Sequence, residues 1–166
     1  MSMAARGSST AKWVAMHLVS PRTLLFLHRD DHWLLLLGAP RKWFAGRLNG
    51  LGGHVEPGEG VMDGARREAF EETGLQPISL ELAAIIHTIE DPPCVLFVAV
   101  GRLPPGELRP TDEGDHVWLT LRDVADPTHP VLDDVRALLP AVAARPSGAP
   151  ILSYTLTPPS DLRRDV

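Results

Sequence analysis

Residues 53–75 read GHVEPGEGVMDGARREAFEETGL, and this stretch decides the fold because it joins a glycine-rich loop to an amphipathic helix. Glycine and proline are dense up to residue 60, as only a loop with special backbone geometry tolerates. From residue 61 apolar side chains recur at helical spacing, and Gly74 supplies a C-terminal stop. The stretch therefore predicts a loop that leads into a helix over residues 61–73.

Three carboxylates, those of Glu68, Glu71 and Glu72, lie at positions i, i+3 and i+4 of this helix. At about 100° per residue they share one side of the helix, and their arc overlaps the flank of the apolar stripe. Like charges this close repel one another on a bare helix. At the edge of a core they are suitable ligands for a hard divalent cation such as Mg²⁺, which prefers oxygen donors. The alternative is a solvated acidic helix face.

A specific spacing begins at Gly53, with five residues before Glu59 and seven more before Arg67, after which the chain reads EAFEETGL. This spacing resembles the complete Nudix box, and few other sequences would match it by chance. The resemblance implies the Nudix fold, an α+β fold in which a mixed β-sheet lies between helices as an α/β/α sandwich. It also implies hydrolysis of a nucleoside diphosphate linked to another group.

The same resemblance implies roles for the residues of the box. The metal cluster would consist of the Gly53 carbonyl and the carboxylates of Glu68, Glu71 and Glu72, and it would be supported by Glu59, Arg67 and Gly74. Glu68 is the first candidate for the base that deprotonates the attacking water, although the choice among the glutamates stays open. Mg²⁺ is the expected cofactor, with Mn²⁺ as an alternative.

A narrower resemblance is to the MutT-homologue nucleoside triphosphatases that remove oxidised purines from the nucleotide pool. Residues 46–53, GRLNGLGG, look like their approach to the box, which implies that Asn49 contacts the base. Glu113 falls where that subgroup has an extra metal-site glutamate, and Asp133 with Asp134 falls where it has two base-reading aspartates. Trp43 is a candidate for stacking on the base.

Each of these subgroup residues also has an ordinary structural interpretation. Asp133 and Asp134 would stabilise the dipole in the first turn of a helix. Glu113 would be a loop carboxylate, Asn49 a turn residue and Trp43 a packing residue. At two positions where that subgroup has tryptophan, this chain has other residues. The loss of these stacking rings argues against oxidised guanine as the substrate base. It does not argue against a nucleotide substrate in general.

Composition limits the remaining function classes. The chain has 166 residues, a net charge of −5 and only two lysines, so it lacks the basic surface that grips bulk nucleic acid. A lone cysteine, Cys94, favours a reducing compartment, and no apolar run is long enough for a membrane span. We therefore expect a cytoplasmic protein that acts on a small nucleotide, with an oligomeric state that the sequence leaves open.

The rest of the chain predicts one domain over residues 11–160, between a flexible segment at 1–10 and a charged tail at 161–166. Asp30 and Asp31 are placed for a tight hairpin turn. Strands are expected at 13–19, 23–29, 32–38, 78–89, 95–101, 116–121 and 151–157, and a second helix at 131–144.

The leading hypothesis is a Mg²⁺-dependent pyrophosphohydrolase that converts a nucleoside triphosphate, in the subgroup an oxidised purine one, to the monophosphate and pyrophosphate. Other Nudix substrates form the first alternative, and they include dinucleoside polyphosphates, ADP-ribose and capped RNA. A nucleotide sensor that binds without turnover is the alternative from another class. It would be expected to have a degraded box, whereas this box is intact.

Overall fold

The computed structural model describes residues 18–89, 91–157 and 161–165, and the strands in this part of the chain form one mixed sheet. The elements in chain order are β1 (Ser20–Arg29), β2 (His32–Gly38), β3 (Leu48–Asn49), α1 (Val61–Thr73), β4 (Ser79–Thr88), β5 (Cys94–Arg102), β6 (Gly114–Thr120), α2 (Leu121–Ala125), α3 (Asp133–Ala143), β7 (Leu152–Thr157) and β8 (Asp161–Arg164).

The sheet has the strand order β3-β2-β1-β5-β4-β7-β8, and β6 also pairs with β2. β1 pairs with β5 and β4 with β7 in parallel, whereas the remaining strand pairs are antiparallel. The predicted mixed sheet is therefore confirmed.

β1 has both of its faces covered, which explains its unbroken apolar run. Leu24 and Phe26 belong to the core cluster that α3 shares, whereas Leu25 and Leu27 belong to the cluster that α1 shares. Successive side chains of a strand point to opposite faces, so α1 and α3 lie on opposite sides of the sheet. The expected sandwich of helices around a sheet is confirmed.

Helix α1 has the predicted bounds and the predicted end. Gly74 adopts the left-handed conformation, with φ +75°, and its amide donates to the Phe70 carbonyl at 2.8 Å. A side chain at that φ would be strained, which is why the helix stops at a glycine. The face of α1 against the sheet contains Ala65 and Ala69, together with the buried Glu72.

The turn between β1 and β2 is the predicted two-residue hairpin, in which Arg29 pairs with His32 and Asp30 has a positive φ of 49°. The strand predicted at 13–19 cannot be checked over 13–17, which lie outside the described residues. Leu18 and Val19 are not part of a strand.

Three elements differ from the sequence-based expectation. β6 ends at Thr120 because Thr120 and Asp123 form a capping box that starts the short helix α2. Helix α3 starts at residue 133 rather than 131, because Val131 forms a bridge with Leu48 instead. Part of the expected charged tail, residues 161–164, forms β8 against β7.

Helices long and apolar enough to cross a lipid bilayer do not occur in the described part of the chain.

Candidate active site

Glu72 is the most deeply buried carboxylate of α1, with only 5% of its surface exposed. Its Oε2 accepts a hydrogen bond from the Gly52 amide at 2.7 Å, which ties the end of α1 to the glycine loop. Gly52 has φ +124°, and a Cβ there would lie 2.4 Å from the Thr23 carbonyl oxygen. Only glycine allows the loop to approach β1 this closely.

Glu68 lies one turn earlier on α1 and contacts the next residue of the loop. A Cβ on Gly53 would lie 2.4 Å from Glu68 Oε1, so the bare glycine makes room for this carboxylate. The Gly53 carbonyl accepts a hydrogen bond from the Thr23 amide at 2.8 Å and is therefore already paired with β1. The neighbouring Gly52 carbonyl receives no hydrogen bond from the residues that the structure describes.

Arg67 connects the loop to the helix. Its Nε and Nη2 donate to the two oxygens of Glu59 at 3.1 and 2.7 Å, and Nη2 also donates to the His54 carbonyl at 2.9 Å. Its Nη1 donates to Glu68 Oε1 at 3.0 Å and to Glu71 Oε2 at 3.1 Å. The hydrogen bond with Glu59 is the main cause that raises the pKa of Arg67, so the guanidinium stays charged.

Glu113 reaches the same region from the loop that precedes β6. Its Oε2 lies 2.6 Å from Lys42 Nζ, and both side chains are partly buried. The adjacent pair Arg41 and Asp112 is 2.7 Å apart. These two ion pairs hold the loop after β2 against the loop before β6.

Crowding of the carboxylates changes their acidity. The pKa of Glu72 is raised to about 8, mainly by burial and further by the nearby charges of Glu113 and Glu68, while the Gly52 hydrogen bond opposes the shift. Burial also raises the pKa of Glu68, and its hydrogen bond with Arg67 opposes that shift. The cluster thus has more negative charge than its buried surroundings accommodate.

The arrangement does not form a ready-made metal cage. Within residues 18–89, 91–157 and 161–165, no group of three or more His, Cys, Asp or Glu side chains is arranged to hold a metal ion. Arg67 hydrogen-bonds the carboxylates of Glu68 and Glu71, and Lys42 contacts that of Glu113. Two cationic side chains therefore pair with Glu68, Glu71 and Glu113 in this arrangement, and neither forms an ion pair with Glu72.

A cavity of about 660 Å³ adjoins the cluster and brings together most of the predicted site residues. Its lining includes Gly53, Glu68, Glu71, Glu72, Glu113, Asn49, Trp43 and Asp134. The cavity extends to both faces of the sheet, since the glutamates come from α1 and Asp134 from the first turn of α3. One cavity thus combines an acidic region beside α1 with a second region beside α3.

Three of the residues that the subgroup resemblance singled out line the cavity away from the glutamates of α1. Trp43 is 73% exposed and its ring contacts Phe44 edge-on at 5.3 Å. Asn49 Oδ1 accepts from the Gly50 amide at 2.8 Å, which leaves its amide group available as a donor. Asp134 Oδ1 accepts from the Val135 amide at 2.9 Å, and burial raises the pKa of Asp134.

Three predicted residues do not line this cavity. The Asp133 side chain is 75% exposed, 4.0 Å from Arg47, so the two adjacent aspartates have separate surroundings. Glu59 forms an ion pair with Arg67 outside the cavity lining, and Gly74 ends α1.

Sequence reasoning missed two basic residues of the cavity wall, Arg22 and Lys42. Neither belongs to a motif: Arg22 precedes an apolar run, and Lys42 follows Arg41 in a loop. The position of Lys42 next to Trp43 is the only hint that the sequence offers.

Comparison with known proteins adds the family. The model of the NUDIX domain matches residues 17–139 of this chain. An oxidized purine nucleoside triphosphate hydrolase of Mus musculus is 55% identical over 42 residues, which cover 25% of this chain and 27% of that protein. The match therefore spans about a quarter of the length of this curated relative.

Solved structures agree in fold at low sequence identity. The MutT protein from Bacillus halodurans superposes with a TM-score of 0.70 at 22% identity, covering 89% of this chain and 98% of that one. A MutT NUDIX hydrolase from Burkholderia pseudomallei gives 0.63 at 24% identity, covering 74% and 97%. An ADP-ribose pyrophosphatase from Streptococcus suis gives 0.58 at 20% identity, covering 84% and 99%. These likenesses establish the shared fold.

Proposed function

This chain belongs to the NUDIX domain family, and from that premise we propose that it is a Mg²⁺-dependent pyrophosphohydrolase. In this proposal it converts a nucleoside triphosphate, with oxidised purines as the first class to test, to the monophosphate and pyrophosphate. The observation that carries the proposal is the buried Glu72, which contacts the glycine loop at the edge of a cavity large enough for a nucleotide.

The donor chemistry fits a hard divalent cation. Every candidate ligand is an oxygen: the carboxylates of Glu68, Glu71, Glu72 and Glu113, and the carbonyl of Gly53 or of its neighbour Gly52. Oxygen ligands together with substrate phosphates suit Mg²⁺, and they suit Mn²⁺ as well. The raised pKa of Glu72 supports this fit, because a cation would offset the charge that burial penalises. For such an ion to bind, Arg67 would give up its contact with Glu71, and Lys42 its contact with Glu113.

A bound divalent ion would offset the charge of the phosphates and lower the pKa of the attacking water. The chain's own residues would then position the reactants. Glu68 is our first choice for the general base, because burial raises its pKa and it borders the cavity. Arg67 would orient this carboxylate through its bond to Oε1. Gly53 would keep the space beside it open.

Base recognition would fall to the other end of the cavity. Trp43 would stack on the base, the free amide of Asn49 would donate to it, and Asp134 would accept from it. Asp133 is exposed, so in the ligand-free arrangement only one of the two aspartates is in place for this role.

A panel assay tests the proposal. The purified protein, with MgCl₂, receives normal and oxidised nucleoside triphosphates, a dinucleoside polyphosphate, ADP-ribose and capped RNA, and products are separated by ion-exchange chromatography. We expect the highest kcat/KM for a triphosphate. Faster turnover of ADP-ribose or of a dinucleoside polyphosphate would move the chain to another substrate class. Saturable binding without any turnover would identify a sensor.

A further inference from the structure

Arg22 is a cavity residue that the proposed reaction leaves unused. It lies near the start of β1, and its Nε is fully buried without a hydrogen-bond partner in the described part of the chain. It makes no ion pair with a carboxylate of the described residues. A buried donor without an acceptor is costly, so an unpaired group in a cavity wall calls for a partner that enters the cavity.

The position of Arg22 in the sheet separates it from the glutamate cluster. Its neighbour Thr23 contacts the Gly53 backbone, so the alternation of the strand turns Arg22 to the opposite face. The backbone of Arg22 pairs with His54 of the glycine loop on one side and with Leu96 of β5 on the other, and its side chain lies on the same face as that of Leu24. This is the face that α3 covers, and Asp134 lines the same cavity from α3.

The chemistry of a guanidinium limits what it can bind. It offers donors only, in a rigid fork that stays charged, so it needs one or two acceptor atoms. Asp134 offers the opposite capacity, since an ionised carboxylate only accepts. A ligand between them must show acceptors on one edge and N–H donors on another.

A 6-oxopurine has this pattern. Its O6 and N7 form an acceptor pair that arginine binds with both arms of the fork, and its N1–H is a donor on the adjacent edge. A 6-aminopurine presents an amino donor in place of O6, and it would face the donors of an arginine.

Resting on the nucleotide hydrolase function proposed above, we propose that Arg22 is a specificity-determining residue that donates to the C6 carbonyl edge of a purine base. Asp134 accepts from the N1–H edge of the same base. The site therefore selects guanine-type and hypoxanthine bases over adenine-type bases.

The test compares dITP with dATP, whose bases differ at C6 and in the proton on N1. The kcat/KM ratio of dITP to dATP is measured for the wild type, for Arg22→Met, which keeps the length and loses the donors, and for Arg22→Lys, which keeps the charge and loses the fork. Arg102→Met serves as the matched control, since Arg102 is exposed and lies outside the cavity.

We expect a wild-type ratio well above one, which Arg22→Met lowers by about 5- to 150-fold, the range for loss of one bidentate base contact. Arg22→Lys should lower the ratio less, and Arg102→Met should leave it unchanged. A ratio that Arg22→Met leaves intact, or an equal loss for both substrates, would overturn the proposal, because Arg22 would then serve the phosphates or the fold.

Binding without chemistry separates this proposal from the proposed function. The affinities of IMP and AMP are measured by isothermal titration calorimetry in EDTA, for the wild type and both Arg22 variants. Preference for IMP that depends on Arg22 supports the proposal even if no triphosphate is hydrolysed. Equal affinity of the wild type for IMP and AMP overturns it, even if triphosphates are hydrolysed. If Arg22→Met does not fold, Arg22→Lys decides the outcome by the same two criteria.

Discussion

The Glu72 carboxylate and the Gly52 amide are joined by a 2.7 Å hydrogen bond that connects the end of α1 to the glycine loop. This bond holds a buried carboxyl group at the wall of the cavity and fixes the loop that borders it. The site thus depends on two segments that are separated by twenty residues of sequence and held in contact by one polar interaction.

Replacing the helix glutamates should stop turnover without unfolding the protein. Glu72→Gln and Glu68→Gln should each lower kcat by at least about 10², since each removes a charge that we assign to metal binding or to proton transfer. Glutamine at 72 keeps an oxygen acceptor for the Gly52 amide, so the circular dichroism spectrum should not change. Glu107→Gln, at an exposed loop residue, is the control and should retain wild-type kcat.

A methyl group at Gly53 should disturb catalysis more than folding. The φ of Gly53 is not in the left-handed region, so alanine is compatible with its backbone, but its Cβ would lie 2.4 Å from Glu68 Oε1. We expect Gly53→Ala to displace Glu68 and lower kcat by about tenfold or more. Gly60→Ala, whose Cβ would meet only the movable end of Asp63, should keep most activity. Equal kcat in the two variants would contradict this account of Gly53.

The stability contribution of Asp134 should depend on pH in a defined direction. Burial raises its pKa in the folded protein above the ordinary value of 3.8, so the folded state holds this proton more tightly than the unfolded state. Its contribution to stability is complete below that ordinary value and is lost as pH rises through the raised pKa.

Asparagine at position 134 does not ionise, so Asp134→Asn avoids the loss of stability that Asp134 causes as pH rises. Its side-chain oxygen still accepts a hydrogen bond from the Val135 amide. Its Tm should therefore exceed that of the wild type near pH 7, and the difference should disappear as pH falls to about 3.5. Asp133→Asn, at the exposed neighbour, should show no such gain. Thermal melts in EDTA at both pH values measure the effect, and a lower Tm for Asp134→Asn at pH 7 would count against it.

Trp43 should contribute to binding rather than to the fold. Its side chain is 73% exposed at the cavity edge, so Trp43→Ala should leave the Tm unchanged. Loss of ring stacking should raise KM by about two- to tenfold with little change in kcat. Steady-state kinetics on the preferred triphosphate gives both constants. An unchanged KM would return Trp43 to the role of a surface residue.

The sequence predicts the parts of this molecule whose signals are local. The sequence predicts helix α1 from residue 61 to residue 73, because apolar spacing and a terminal glycine both mark its limits. The position of Glu72 at the flank of the apolar stripe was compatible with a metal ligand or with a solvated face, and the structure shows that Glu72 is buried. The predicted α+β fold and the family were identified from the box, and the domain model agrees with them.

Features that depend on contacts between distant segments could not be predicted. The bridge between Leu48 and Val131 delays the start of α3, and it joins residues 83 positions apart in the chain. Asp133 and Asp134 are adjacent residues of the same type, so the sequence does not distinguish them. Only Asp134 lines the cavity, because the helix directs the two side chains to different surroundings. Arg22 shows no motif, and only the fold of the glycine loop against β1 brings it to the cavity.

The most direct test of the central claim is the identity of the bond that breaks. The purified protein is incubated with its preferred nucleoside triphosphate and MgCl₂, and the products are followed by ³¹P NMR, with Glu72→Gln run in parallel. The account predicts nucleoside monophosphate and intact pyrophosphate from the wild type, and a rate at least about 10² lower from the variant. Release of nucleoside diphosphate and orthophosphate, or full activity of Glu72→Gln, would contradict it.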